Sequence, residues 1–173
     1  MNKCVFLDRD GVINRERGEY TYKLEDFEIL PGVVEAIHKL KSYGFLVIII
    51  TNQAGIARGL YSKSEMDECH KYLLNQCDNQ IDAIYFCRYH PSVTESIARK
   101  PGKLMFEKAM AKFDIDPLKS WMIGDKERDI VPALEMNLKT ILITEQKPET
   151  SAEYISTSLK ESVDQIILNL SNG

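Results

Sequence analysis

The chain has 173 residues, 44% of them hydrophobic and 28% charged, with a net charge of −4. That length suits one domain, residues 1–173, able to bury about two-thirds of its unfolded surface, and the composition is that of an ordinary soluble globular protein. The acidic total argues against a long nucleic-acid partner, the longest apolar run falls far short of the ~20 residues of a membrane span, and four scattered cysteines read as reduced thiols.

The first apolar run, Cys4 to Leu7, follows Met1-Asn2-Lys3 directly and leaves no room for a signal peptide, so a cytoplasmic protein is expected. It reads as a strand that ends in Asp8-Arg9-Asp10-Gly11. Val33, Ile37 and Leu40 then repeat at helical spacing, with Gly44 as the stop. Phe45 to Ile50 is a second strand, ending in Thr51-Asn52-Gln53. Ser62 and Glu65 have capping-box spacing at the start of a helix that runs to about Cys77. Ala83 to Phe86 forms a third strand and Leu104 to Phe113 a helix. Ser120 to Ile123 is a fourth strand, with Gly124-Asp125 after it. Ile130 to Met136 reads as a helix and Thr140 to Ile143 as a fifth strand. Residues 147–158 read as a loop with a short strand or turn, and Leu159 to Leu170 as the last helix. Trp121 reads as core; His38 and His70 read as surface or boundary positions on their helices.

Several of these strands are continuous apolar runs, as parallel strands covered on both faces require. Their alternation with helices predicts an α/β fold with a doubly wound parallel sheet. In such sheets ligands bind beyond the carboxyl ends of the strands, near the point where strand order reverses. Three strand ends carry polar clusters: Asp8-Arg9-Asp10, Thr51-Asn52-Gln53 and Gly124-Asp125.

Those residue types suit hydrolysis of a phosphate ester. Asp8 can act as nucleophile, dividing one hard displacement into formation and hydrolysis of an acyl phosphate. Asp10 can protonate the leaving oxygen and then deprotonate the attacking water. Asp8, Asp10 and Asp125 gathered in a small volume repel one another and the phosphate unless a hard cation lies among them, which implies Mg²⁺. Thr51 offers a hydroxyl to the phosphoryl group, and Lys100 the positive charge that balances nucleophile and substrate.

These segments resemble the four motifs of the haloacid dehalogenase (HAD) superfamily of phosphatases. Phe6 to Asn14 is similar to the first, Thr51 to Gly59 to the second, Arg99-Lys100-Pro101 to the third and Gly124 to Asp129 to the fourth. The resemblance runs in order from about residue 3 to residue 145. It implies a Rossmann-like fold, with neither inter-motif interval long enough for a separate cap domain. It implies Mg²⁺ on the Asp8 side chain, the Asp10 backbone carbonyl and the Asp125 side chain, with Asp129 orienting those ligands by hydrogen bonding. Thr51 and Lys100 would hold the phosphoryl group. Arg9, Asn52, Gln53, Arg99 and Lys126 would contact or position substrate.

Within the superfamily the motifs are most similar to the branch of D-glycero-D-manno-heptose 1,7-bisphosphate 7-phosphatases, which is related to histidinol-phosphatase. That branch implies a small sugar phosphate as substrate, no nucleic-acid or membrane partner, and a monomer or weak oligomer. Three other readings compete: histidinol-phosphate phosphatase, polynucleotide 3′-phosphatase, and a catalytically silent module with the same fold. Two departures from the branch stand out. Its structural zinc loop pairs Cys-x-His with a later Cys-x-Cys, whereas here Tyr89 follows Cys87-Arg88 and Ile97-Ala98 stand where the second pair belongs. Structural zinc takes four ligands, so zinc is expected to be absent. The segment Glu16 to Tyr20, a flap after the first motif, is about one residue longer than the pattern of the branch.

Overall fold

A computed structural model describes residues 1–146 and 149–171. Lys147 and Pro148, which open the loop expected before the last helix, and Asn172 and Gly173, at the end of the expected domain, lie outside the described residues. The six strands are β1 (Cys4–Leu7), β2 (Leu46–Asn52), β3 (Ala83–Cys87), β4 (Trp121–Gly124), β5 (Lys139–Ile143) and β6 (Tyr154–Ser156). All pairings are parallel, and the order is β3-β2-β1-β4-β5-β6. Five α-helices connect and cover them: α1 (Val33–Ser42), α2 (Lys63–Gln76), α3 (Leu104–Phe113), α4 (Glu127–Glu135) and α5 (Leu159–Ser171). This is the doubly wound parallel α/β sheet that the alternation predicts.

Alternate residues of each strand point to opposite faces, and each face has its own core. Val5, Leu7, Val47, Ile49 and Ile123 pack with Ile37 and Leu40 of α1, Leu73 of α2 and Val163 of α5. Cys4, Phe6, Ile48, Ile50 and Met122 pack with Met105 and Phe106 of α3 and Ala133 of α4 on the other face. Each Val, Leu, Ile, Phe or Met side chain buried here contributes roughly 1.5–3 kcal/mol. Double coverage is why the strands read as unbroken apolar runs.

The strand order reverses beside β1, with β2 and β3 on one flank and β4, β5 and β6 on the other. The carboxyl ends of β1 and β4 are therefore adjacent, and their register pairs Leu7 with Ile123. Asp8 and Asp125 follow those ends within two residues. One short strand more than the five apolar runs appears, β6, at the place read as a strand or turn.

Several boundaries shift by one to three residues, and one residue differs from the sequence reading. Helix α4 begins at Glu127 rather than Ile130, because the Asp129 side chain accepts the Lys126 N–H and starts the helix one turn earlier. Strand β2 starts at Leu46 rather than Phe45 and extends through Thr51 and Asn52, which pair with Phe86 and Cys87. The capping box at Ser62 and Glu65 is present as expected. His70 is the clear correction. It is buried, since Met66, Cys69, His70 and Leu73 share one buried face of α2, a 3- and 4-residue spacing visible in the sequence.

Candidate active site

The base of the site is a buried ion cluster. Lys100 has no exposed side-chain surface, and its Nζ lies 2.9 Å from Asp8 Oδ1 and 2.6 Å from Asp129 Oδ1. The same ammonium donates to the Ile50 carbonyl at 2.7 Å. Burial would favour a neutral amine, but Asp129 and Asp8 outweigh it and hold Lys100 charged above its ordinary range. Asn52 fixes the lysine from the end of β2: its Oδ1 accepts the Lys100 N–H at 3.1 Å and its Nδ2 donates to the Lys100 carbonyl at 3.2 Å.

Asp8 follows β1 and is almost wholly buried. Its Oδ1 accepts from the Arg9 N–H at 2.7 Å as well as from Lys100. Burial, aided by the negative charge of Asp129 and opposed by Lys100, pushes its carboxyl up to about 7. Asp125 is raised too, mainly by burial, with Lys126 Nζ at 2.8 Å from Oδ2 opposing the rise.

Oxygens of Asp8, Asp125 and Asp129 lie within 4.8 Å of one another. Asp125 Oδ1 is buried without a hydrogen-bond partner. Asp129 Oδ1 is likewise without a hydrogen bond, and three carboxylates with two such oxygens fit a hard divalent cation. Asp129 Oδ2 accepts the Lys126 N–H, and its Oδ1 meets Lys100 as an ion pair without a hydrogen bond. Two close approaches hold the cluster together. A Cβ on Gly11 (φ +85°) would come within 2.5 Å of Asp125 Oδ2, and one on Gly124 within 2.6 Å of Asp129 Oδ2.

Asp10 is held by three donors. Its Oδ1 accepts from Arg9 Nη2 and Asn14 Nδ2, each at 2.9 Å, and its Oδ2 from Gln53 Nε2 at 3.2 Å. Gln53 also donates to Thr51 Oγ1 at 2.9 Å and accepts from the Tyr61 hydroxyl at 2.7 Å, so one buried amide fixes both Asp10 and Thr51.

Asp8 and Asp10 open onto a cleft of about 680 Å³. Asn52, Gln53 and Lys126 line it as expected, and so do Glu16, Gly18, Glu19, Tyr20 and Thr21 of the flap. Two residues depart from the sequence reading. Arg9 borders the cleft but is 1% exposed: its guanidinium donates to Asp10 and to the Thr21 carbonyl (2.7 Å) and stands over the Phe27 ring. It supports Asp10 and the base of the flap, and little of it remains for a ligand. Arg99 lines a separate hollow with Pro91, Ile97 and Pro101, and donates to the Tyr89 carbonyl at 3.4 Å. Arg128 lines the main cleft and was not singled out in the sequence; its place in the first turn of α4 is legible only once the helix is known to begin at Glu127. Arg58, in the second-motif loop, lines the cleft as well and donates to the Tyr20 hydroxyl at 3.2 Å.

At the reduced zinc-loop segment, Cys87 is buried in the core with Phe6, Ile50 and Phe106. His90 is bonded to its own turn through Ser92. No helix among the described residues is long and apolar enough to cross a membrane.

A family model described as HAD-hydrolase-like matches residues 97–168. A D-glycero-beta-D-manno-heptose-1,7-bisphosphate 7-phosphatase of Helicobacter pylori strain J99 is 38% identical over 171 residues, covering 95% of this chain and 97% of that protein. The protein of the same name from Escherichia coli K12 is 36% identical over 173 residues, covering 91% and 90%. Among solved structures, the D,D-heptose 1,7-bisphosphate phosphatase of B. bronchiseptica, complexed with magnesium and phosphate, superposes with a TM-score of 0.86 at 25% identity, covering 96% of this chain and 99% of that one.

Proposed function

We propose that this chain, which belongs to the HAD-like hydrolase family and is a phosphoric monoester hydrolase, removes the 7-phosphate of D-glycero-D-manno-heptose 1,7-bisphosphate. The observation that carries the reading is the likeness, over nearly the whole chain, to proteins named for that reaction, joined to an intact cluster of Asp8, Asp10, Lys100 and Asp125. One domain, residues 1–173, would contain the whole activity. The protein would work in the cytoplasm as a monomer or weak oligomer.

In this mechanism Asp8 attacks the phosphorus of the 7-phosphate, the P–O bond to the sugar breaks, and Asp10 gives its proton to the departing C7 oxygen. Asp10, now a carboxylate, takes a proton from water as that water attacks the aspartyl phosphate. Inorganic phosphate leaves and Asp8 is restored. Thr51 and Lys100 hold the phosphoryl oxygens as charge develops on them. Arg9, Asn14 and Gln53 keep Asp10 aimed at the leaving oxygen. The Asp8 and Asp125 side chains and the Asp10 carbonyl would hold Mg²⁺, which supplies Lewis-acid charge to the phosphoryl oxygens when bound. Lys126 faces the same cleft and balances Asp125.

We also read the zinc loop as lost, because Cys87 is used in the core and His90 in its own turn. Glu16 and Glu19 bring negative charge to the cleft, which speaks against a polynucleotide end as substrate. The test is kcat/KM with Mg²⁺ on heptose 1,7-bisphosphate, histidinol phosphate and a 3′-phosphorylated oligonucleotide. We expect the first to lead by at least about tenfold, EDTA to abolish turnover with Mg²⁺ restoring it, and metal analysis to find no stoichiometric zinc. A lead for either other substrate overturns the assignment.

A further inference from the structure

The two oxygens of Asp10 have partners that differ in what they can take back. Oδ1 accepts from Arg9 Nη2 and from Asn14 Nδ2, two nitrogens that only donate. The proton that Asp10 gives to the leaving oxygen therefore sits on Oδ2, 3.2 Å from Gln53 Nε2. An amide nitrogen cannot accept that proton, whereas the oxygen of the same amide can. Which end of Gln53 faces Asp10 decides whether the proton stays free for the substrate.

Three partners surround that amide. While Asp10 is a carboxylate it only accepts, so Nε2 faces it. Once Asp10 carries its proton the constraint lapses, because a carboxyl O–H satisfies an amide oxygen equally well. Thr51 Oγ1, 2.9 Å from Nε2, can donate or accept and so does not choose. The third partner is the Tyr61 hydroxyl, which has one hydrogen and gives it to Gln53 Oε1 at 2.7 Å. A reversed amide would turn both N–H donors toward one phenol oxygen and take Oε1 away from the phenol hydrogen, a costly exchange in a buried place. Burial pushes the Tyr61 hydroxyl well above its ordinary range, so it stays a donor. Packing holds the ring independently of this bond. A Cβ on Gly55 would fall 2.1 Å from the ring Cε1, and Tyr22 stacks on the ring with centroids 4.9 Å apart.

We infer that Tyr61 is a positioning residue for the acid step: its hydroxyl keeps the Gln53 amide turned so that the Asp10 proton is left for the leaving oxygen. This rests on Asp10 acting as the acid in the reading above, and not on which sugar carries the phosphate.

Tyr61→Phe removes the hydroxyl and keeps the ring. The experiment measures kcat/KM with Mg²⁺ for 4-nitrophenyl phosphate, phenyl phosphate and heptose 1,7-bisphosphate. A nitrophenolate departs with little help from a proton and an alkoxide does not, so a misplaced acid is felt in that order. The loss in Tyr61→Phe should grow from about twofold on the first ester to about tenfold on the second and more on the third, within the ~10²–10⁴-fold that a general acid supplies. In a Gln53→Ala background the same substitution should add no further dependence on the leaving group, as for two residues that act as one unit. Thermal unfolding checks that the ring still packs. A loss equal on all three esters, no loss, or a loss that adds independently of Gln53 overturns the role of Tyr61 while leaving the acid in place. A wild type whose rates already fall steeply from nitrophenyl to phenyl ester overturns Asp10 as the acid, and this inference with it. A wild type inert on heptose bisphosphate overturns the substrate reading alone, and the two aryl esters then decide the role of Tyr61.

Discussion

The base of the cleft and its rim are built on opposite plans. At the base, Asp8, Lys100 and Asp129 are buried, and the ammonium meets both carboxylates and the Ile50 carbonyl. At the rim, residues 15–19 are exposed, and Arg58 and Arg128 meet no opposite charge among the described residues. The contrast separates two jobs. Phosphoryl transfer needs charges fixed at one geometry in a low-dielectric setting, where each is worth most. Choosing the rest of the substrate needs groups that can meet an incoming ligand, and these remain in water.

The largest effect that would test this division is at the nucleophile. Asp8→Asn should lower kcat on the order of 10⁴-fold or more, measured on an aryl phosphate with Mg²⁺. The same change removes a buried charge that burial and Asp129 destabilise, and the amide oxygen can still accept from Lys100 and the Arg9 N–H. The melting temperature in metal-free buffer should therefore rise or hold while activity collapses. A falling one would show that the base is built for stability rather than for chemistry.

Lys100→Met comes next. It leaves the Asp8 and Asp129 carboxylates facing each other in the interior, and breaking a buried pair in this way costs about 3–5 kcal/mol. Chemical denaturation should read that loss, and turnover should vanish with it. A cost under about 1 kcal/mol, the value of an exposed pair, would erase the distinction between base and rim.

His70, packed beside the Arg9 guanidinium, gives a pH signature to the buried side. Burial first, and the charge of Arg9 second, push its imidazole down to about 4. Below its ordinary value the unfolded chain takes up a proton that the folded chain refuses, so stability falls as pH drops from about 6.5 to about 4. The full loss is about 3 kcal/mol. Denaturation across that range should show the slope in the wild type and a flatter one in His70→Gln.

Smallest of all, Tyr20→Phe removes a single exposed hydrogen bond between the flap and Arg58. It should raise KM for heptose bisphosphate about two- to fivefold, with kcat moving less. A collapse of kcat would mean that the flap takes part in the chemistry.

What could be read in advance followed the same division. The buried parts leave strong marks in the sequence: apolar runs for strands covered on both faces, and acids just past two of them for the cluster between β1 and β4. The rim leaves few. Arg128 is one charged residue among several after Asp125, and nothing local says that the helix already includes it. Arg9 is expected at the substrate from its place in the first motif; its burial follows from partners far away in sequence, His70 and the Thr21 carbonyl. Arg99 stands in the expected motif, yet it lines a different hollow. Tertiary partners of this kind have no signature in spacing.

The near-touch between Gly11 and the Asp125 carboxylate carries a consequence for how this protein can diverge. With φ at +85° and 2.5 Å to the nearest carboxylate oxygen, position 11 rejects even a methyl group on two independent grounds. In a saturation library it should behave as a closed position, tolerating no alternative while neighbouring flap residues vary freely. Lineages built on this scaffold are thus free to change what they recognise long before they can change how they cut.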